Sequence, residues 1–160
     1  MNDQRFLTAI FCDDIRSEVG NKLTLVGCYS ADLLLTHLPT TLPKFGVHVR
    51  MYTPVSQPVL SLRLRVFLNA EMLGELAVDS DQLAQSANAD VPADANWRVM
   101  TAVLMLTPFN VTEAGDLRVE AETESGPLIP ARLKIKVLDP YDAQVVDEAN
   151  INVTAARKPL

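Results

Sequence analysis

The feature that most constrains the fold is a strict alternation of side-chain character in several short segments. In residues 60–68 every second residue is Leu or Val, and two arginines lie between them. Successive side chains of a strand point to opposite faces, whereas a helix would distribute these leucines around its axis. Residues 44–52 alternate in the same way, with Phe45, Val47, Val49 and Met51 on one side. Residues 97–106 also alternate. Because Trp97 begins this last segment, we expect its indole ring to lie in the core.

Turn-forming residues separate these segments along the chain. Gly20-Asn21 predicts a reversal between strands at 5–13 and 22–29, because both residues tolerate positive φ angles. A short helix is predicted near residues 80–87, where Asp79 or Ser80 can cap the free N–H groups. The fold class indicated is all-β: an antiparallel β-sandwich of about seven to nine strands, whose closing strands are immunoglobulin-like in spacing.

Charge along the last strands predicts one pairing. Glu120 and Glu122 alternate with apolar residues, and Lys134 and Lys136 do the same in the following segment. Opposite charges that face each other on neighbouring strands stabilise their pairing. We therefore expect these two segments to be adjacent, with each glutamate opposite a lysine.

Length and composition indicate one globular domain. The chain has 160 residues, of which 48% are hydrophobic and 21% charged, and this balance excludes disorder throughout the chain. We predict a single sandwich domain over residues 1–138. Residues 139–160 lose the alternation and are predicted to form a polar C-terminal tail or arm.

The charge distribution argues against several partners. The formal net charge is −6, and Arg50, Arg63 and Arg65 form the nearest approach to a basic cluster, so no nucleic acid is expected as a partner. The sequence lacks a signal peptide and a run of about 20 apolar residues, which predicts no membrane association. The expected location is the cytoplasm of the cell that makes the protein.

Residues that could perform chemistry are few and scattered. Cys12 and Cys28 lack metal-binding spacing, and we expect two buried free thiols facing each other across the first hairpin. His37 and His48 lie near no nucleophile motif, and His48 falls on the polar side of its predicted strand. The glycines form no phosphate-binding loop. The sequence therefore predicts no catalytic residue, no cofactor and no metal ligand.

One segment resembles a known group of sequences. Residues 11–18 read Phe-Cys-Asp-Asp-Ile-Arg-Ser-Glu, and residues 21–29 read Asn-Lys-Leu-Thr-Leu-Val-Gly-Cys-Tyr. This stretch resembles an uncharacterised family of small bacterial and prophage proteins with a C-D-D-I-R-x-E motif followed by K-x-T-L-x-G-x-Y. The likeness is sharpest over residues 9–50. It implies a bacterial or phage setting, and it implies no catalytic residues because it carries no established activity.

The same resemblance singles out a polar cluster at the end of the first strand. Two interpretations remain open: local ion pairs and hydrogen bonds that fix the first hairpin, or a binding site. The candidate interaction or ligand cluster consists of Asp13, Asp14, Arg16, Glu18 and Lys22.

The leading hypothesis is a non-enzymatic structural or protein-interaction domain. Its sharpest form is a phage- or prophage-encoded accessory or virion component, which would bind a protein partner or self-assemble through strand edges or the tail. The alternative is a sandwich that binds a small ligand or calcium near Asp13, Asp14 and Glu18. An enzyme would require an acidic or metal-dependent mechanism that the sequence does not show.

Overall fold

The computed structural model of the chain describes residues 4–139, which contain twelve strands and one helix. Three strands, β4, β9 and β11, have three residues or fewer, so nine longer strands remain and the mostly β prediction is confirmed. The elements are β1 (Phe6–Glu18), β2 (Lys22–Cys28), β3 (Asp32–Leu35), β4 (Thr40–Leu42), β5 (Phe45–Pro54), β6 (Leu62–Leu68), β7 (Glu71–Val78), α1 (Ser80–Asn88), β8 (Trp97–Leu106), β9 (Phe109–Val111), β10 (Gly115–Thr123), β11 (Gly126–Pro127) and β12 (Ala131–Val137).

Two larger sheets form the sandwich. The four-stranded sheet has the order β2-β1-β5-β8, and the second has the order β3-β12-β10-β6-β7 with β11 beside β10. A short β4-β9 ladder lies apart from both. Each pairing is antiparallel except β3 with β12, which is parallel. The immunoglobulin-like character stays a prediction, and the predicted tail lies outside the described residues from Pro140 onward.

The inner faces of the two sheets share one hydrophobic core. On β5 the inner residues are those predicted from the alternation, and on β6 they are confirmed from Leu62 onward, while Leu60 lies before the strand and is exposed. Burying each such side chain stabilises the fold by about 1.5–3 kcal/mol. The fully buried members from the central strands are Phe45, Val47, Val49, Leu64, Val66, Leu68, Leu117 and Val119.

The first hairpin is longer than predicted. β1 continues to Glu18, where it pairs with Lys22, so the polar stretch after residue 13 is strand rather than turn. The reversal itself is confirmed, since Gly20 and Asn21 have φ angles of 84° and 56°. A polar strand persists here because β2 supplies hydrogen-bond partners along its whole length.

The outer face of the second sheet is charged, and we call it the charged face. β10 and β12 are antiparallel neighbours, as predicted, but the expected opposition of Glu120 and Glu122 to the lysines of β12 is wrong, because the register places Lys134 opposite Asp116. These glutamates lie opposite Arg65 and Arg63 of β6, because β10 has β6 on one side and β12 on the other. The ion pairs on this face are Arg63–Glu75 (3.8 Å), Arg65–Glu75 (2.8 Å), Arg65–Glu122 (3.0 Å), Arg118–Glu120 (3.1 Å), Lys134–Asp116 (3.5 Å) and Lys136–Asp32 (2.6 Å).

The expectation that Trp97 lies in the core is wrong. The odd-numbered residues of β8 face outward, and the even-numbered residues from Met100 to Leu106 pack against the core. Alternation could not decide the orientation, because both faces of this strand are apolar. The outward row is Trp97, Val99, Thr101, Val103 and Met105.

The predicted helix is confirmed as α1. Asp79 caps its N-terminus, and the Asp79 carboxylate accepts a hydrogen bond from the Asp81 amide at 2.7 Å. Leu83 is the buried residue of the helix and belongs to the shared core, and α1 connects β7 to β8 along the chain.

Candidate functional site

Of the five residues in the predicted cluster, Asp14 and Arg16 contact each other, and Asp14 is at the centre of the group that they form. Its carboxylate lies 3.3 Å from the Arg16 guanidinium and 3.3 Å from the Lys44 ammonium. The pKa of Asp14 is lowered, chiefly by the hydrogen bond from Arg16 and then by Lys44. A carboxylate held ionised by two cations is a poor proton donor or acceptor near neutral pH. This group therefore fixes β1 against the start of β5.

Asp13 lies on the opposite face of β1 from Asp14, because neighbouring strand residues alternate. The Tyr29 hydroxyl donates a hydrogen bond to the Asp13 carboxylate. Burial first, and then Asp13, raises the pKa of Tyr29. Gly27, with φ of 66°, passes so close to Asp13 that any side chain at Gly27 would collide with the carboxyl group. Asp13 thus has a packing role.

Glu18 and Lys22 lie at the exposed tip of the hairpin as cross-strand partners. The five predicted residues therefore divide among two faces and the tip. Among residues 4–139 no three His, Cys, Asp or Glu side chains are grouped so that they could hold a metal ion. The geometry favours the hairpin-fixing interpretation over a calcium site.

Lys44 is the member that the sequence reasoning missed. Cys12 of β1 lies opposite Gly46 of β5, and continuing that antiparallel register by two residues places Lys44 beside Asp14. The two residues are 30 positions apart, so their proximity becomes visible only when the register of β1 and β5 is known.

The outer face of the four-stranded sheet is the second candidate, and we call it the apolar face. Seven large hydrophobic side chains on this face are each between 37% and 49% exposed. Exposed hydrophobic residues are common singly, but several on one sheet face are typical of a contact surface. Here they form two groups, because the exposed Arg50 of β5, with Thr8 and Thr101 as its cross-strand neighbours, lies between them. The seven are Phe6 and Ile10 of β1, Val26 of β2, and Trp97, Val99, Val103 and Met105 of β8.

Aromatic rings order one end of the apolar face. Phe6 stacks on Tyr52 with ring centroids 4.5 Å apart, and Trp97 meets Phe6 edge-on at 5.5 Å. Beside them lies a cleft of about 910 Å³, which Ile129 also lines. These contacts hold Phe6 and Trp97 in fixed positions while leaving part of each ring accessible.

Arg5 lies in the wall of this cleft, but its guanidinium is committed to the fold. Its side chain is only 6% exposed and lies 2.6 Å from the Glu124 carboxylate. It also donates hydrogen bonds to Thr53 and Thr123, at 3.1 and 3.2 Å. A cation with these partners is poorly placed to bind an anionic ligand. Arg5 instead joins the start of β1 to the far end of β10.

Glu124 completes this connection from the second sheet. Its carboxylate accepts hydrogen bonds from the amides of Leu60 and Ser61 at 3.0 and 3.1 Å. Burial alone would raise the Glu124 pKa, but the Leu60 amide, Arg5 and the Ser61 amide together lower it to about 2. The Arg5–Glu124 pair is therefore a fixed ionic contact between the two sheets.

The two histidines differ in their exposure, and neither lies beside a nucleophile motif. His48 lies on the outer side of β5 yet is only 4% exposed, because Ile10 and Val103 are its cross-strand neighbours. Burial first, and then Arg50, lowers its pKa. His48 thus lies on the side of β5 that the sequence predicted, but its position there is buried. His37 is exposed, and Thr36 Oγ1 lies 3.0 Å from its Nδ1.

Cys12 and Cys28 are cross-strand partners, as expected, and both are free thiols. Cys12 is buried, and that burial is the main reason that its pKa rises to about 11. Cys28 is exposed, so the expectation of two buried thiols is wrong for Cys28. A buried thiol with so high a pKa is a poor nucleophile at neutral pH.

No protein-family model, no curated protein and no solved structure matches this chain. The resemblance of residues 9–50 to the prophage family accordingly stays a prediction. Within residues 4–139, no helix has the length and apolar character needed to cross a membrane.

Proposed function

We propose that this protein is a non-enzymatic protein-interaction domain that binds another protein through the apolar face. The observation that carries the proposal is the set of seven partly exposed hydrophobic side chains on one sheet. Several exposed hydrophobic side chains on one face are a feature of functional contact surfaces on monomers. The setting we propose, a phage- or prophage-encoded accessory or virion component, is supported by the resemblance of residues 9–50.

The chemistry of this face indicates the kind of partner. Aromatic and methionine side chains are enriched in protein interfaces, and Phe6, Trp97 and Met105 supply these types here. Lys44 and Arg16 lie beside Asp14, next to Val26 at the β2 end of the face, so charged groups accompany the hydrophobic side chains there. The expected partner therefore presents an apolar protein surface.

The test compares two lysine substitutions with matched exposure. Ile10 on the apolar face is 44% exposed, and Leu34 on the outer side of β3 is 42% exposed. Immobilised wild-type protein and the Leu34→Lys variant should retain the same near-stoichiometric protein from a lysate of the source cell. The Ile10→Lys variant should lose it, because a lysine would have to be desolvated in the interface.

Two outcomes would contradict the proposal. One is equal retention by Ile10→Lys and wild type, which would place binding elsewhere on the molecule. The other is a wild type that retains no protein from the lysate, whatever its own oligomeric state. Circular dichroism and thermal unfolding of both variants control for folding, since substitution of an exposed residue should change stability little.

A further inference from the structure

The four edge strands of the two larger sheets differ in how they limit pairing with another chain. Natural edges are protected by short length, charge, proline or a β-bulge. β3 has four residues and begins with Asp32, which is paired with Lys136. β7 carries Glu71 and Glu75 and is adjacent to a register shift at Val66/Phe67. β2 begins at Lys22 and is interrupted near its end by Gly27 in a left-handed conformation.

β8 lacks each of these protections. It has ten residues, contains no proline, and carries one charged residue, Arg98, near its start. Its register with β5 is regular from Trp97 to Leu106, and within the described residues β5 is the one strand that pairs with it. The Arg98 guanidinium donates hydrogen bonds to the Ser86 carbonyl of α1 and to the carbonyl of Ala89, the C-cap of that helix.

The direction of the free backbone groups follows from one hydrogen bond. The Val55 amide donates to the Asn96 carbonyl at 3.0 Å, which makes residues 55 and 96 a hydrogen-bonded pair. Antiparallel pairs alternate between bonded and non-bonded, so the even-numbered residues of β8 bond to β5. The odd-numbered residues therefore direct their N–H and C=O groups to the open edge, and these same residues face outward.

The outward row has an internal symmetry. Read from 97 to 105 it is Trp-Val-Thr-Val-Met, with Thr101 in the middle, a β-branched valine on each side and a large apolar residue at each end. An antiparallel copy centred on Thr101 would place Val99 opposite Val103 and Trp97 opposite Met105. Each of these cross-strand pairs is of a favourable type, and the tryptophan–methionine pair adds a sulfur–aromatic contact.

We propose that β8 pairs antiparallel with β8 of a second copy, with Thr101 of one copy opposite Thr101 of the other on a two-fold axis. This register satisfies the open backbone groups of residues 97–105 in both copies. It forms one continuous eight-stranded sheet and joins the two apolar faces. An isologous contact of this kind closes after two copies, so it produces a dimer and not a fibre.

The edge also borders an opening into the core. An apolar cavity of about 290 Å³ lies between β8 and β7, where Met100, Ala102 and Leu76 line it. A second β8 beside the first would narrow access of water to this opening. The inference goes beyond the proposed function, because it concerns the backbone edge of β8, whereas the proposed partner binds the flat apolar face.

The first test uses the two-fold axis itself. In the proposed register residue 101 faces its own copy, so Thr101→Lys places two lysines together and Thr101→Glu places two glutamates together. Light scattering should show dimeric wild type and at least roughly tenfold weaker dimerisation for each variant. An equimolar mixture of the two variants should form a heterodimer, because opposite charges then meet on the axis.

The second test removes one backbone donor. The Thr101 amide faces the free edge, so Thr101→Pro should leave the ladder with β5 intact while preventing close pairing with a second copy. Thr101→Val keeps the amide and the β-branched shape and should remain dimeric. Circular dichroism establishes whether the proline variant is folded; if it is not, the lysine and glutamate variants decide the question.

Several results would overturn the inference. A wild type that is monomeric at the highest concentration reached in light scattering excludes the dimer. A dimer that survives both Thr101→Lys and folded Thr101→Pro uses another surface. A lysine–glutamate mixture that stays monomeric excludes the register. The Ile10→Lys variant should dimerise normally, because Ile10 lies two strands away on β1, and so failure of the partner proposal and of this inference can be told apart.

Discussion

The outer faces of the two sheets have opposite characters although their inner faces share one core. On the charged face, arginines and lysines of β6, β10 and β12 are paired with carboxylates of neighbouring strands. On the apolar face, outward positions of β1 and β8 hold Phe, Ile, Trp, Val and Met. Ion pairs of this exposed type add little stability, but they keep a surface hydrated. The contrast indicates that the charged face is suited to water and the apolar face to another protein surface.

The prediction with the largest expected effect tests whether the two sheets differ only on their outer faces. Leu64 of β6 and Met51 of β5 are inner residues that are 1% and 2% exposed. Leu64→Ala and Met51→Ala should each lower the free energy of unfolding by about 2–5 kcal/mol, through lost burial and the cavity left behind. Urea denaturation measures both. A much smaller decrease in the free energy of unfolding for Met51→Ala than for Leu64→Ala would contradict the comparison, because the inner face of the four-stranded sheet would then be loosely packed.

A smaller effect concerns the contact that both sheets share. Glu124→Gln should lower the free energy of unfolding by about 2 kcal/mol at neutral pH, since it removes the ionic partner of a nearly buried Arg5. The folded-state pKa of Glu124, about 2, lies below its ordinary value of 4.5. Its contribution is therefore fully present above about pH 5 and is lost as the pH falls towards 2.

The pH profile supplies the control for that prediction. Urea denaturation of wild type and Glu124→Gln should give a stability difference that is constant at neutral pH and shrinks on acidification below about pH 4.5. A difference that does not change with pH would mean that the glutamine disturbs packing, and that the charge of Glu124 contributes little.

The prediction with the smallest expected effect compares how substitutions on the two outer faces respond to added salt. The Arg65 hydrogen bond is the main cause of the lowered pKa of Glu75, so Glu75→Gln should slightly lower the thermal midpoint. That difference should diminish in about 1 M salt, because salt screens exposed charges. Val103→Thr on the apolar face removes no charge, and its effect should not diminish in salt. If salt changed the effects of Glu75→Gln and Val103→Thr on the thermal midpoint equally, the two faces would not differ in electrostatic character.

The alternation in the sequence was sufficient to predict the fold class and the inner residues of β5 and β6. It failed for β8, because Val99 and Val103 on one face are as apolar as Met100 and Leu104 on the other. It also failed for Glu120 and Glu122. The neighbouring strand β12 was predicted correctly, but the partners of these glutamates depend on the register of β10 with β12 and on β6 as the second neighbour of β10, and local sequence contains neither.

The candidate sites were also predicted only in part from the sequence. The motif in residues 13–18 drew attention to Asp14 and Arg16, which do interact. Lys44 was missed because its contact depends on the register of β1 with β5. The apolar face was missed for a related reason. Its residues come from three strands, and the pattern of each strand alone is that of a half-buried strand. The exposed surface can therefore be recognised only when the positions of these strands in the sheet, with β8 at its edge, are known.

The parallel pairing of β3 with β12 has a consequence for synthesis. Asp32 and Lys136, which meet at this pairing, are separated by 104 residues, so β3 emerges from the ribosome long before its partner strand exists. The four-stranded sheet, in contrast, has all its strands once residue 106 has been made. A nascent chain can thus complete the sheet that carries the apolar face while the other is still unfinished. During that interval both sides of the finished sheet are open to chaperones or to a neighbouring nascent copy.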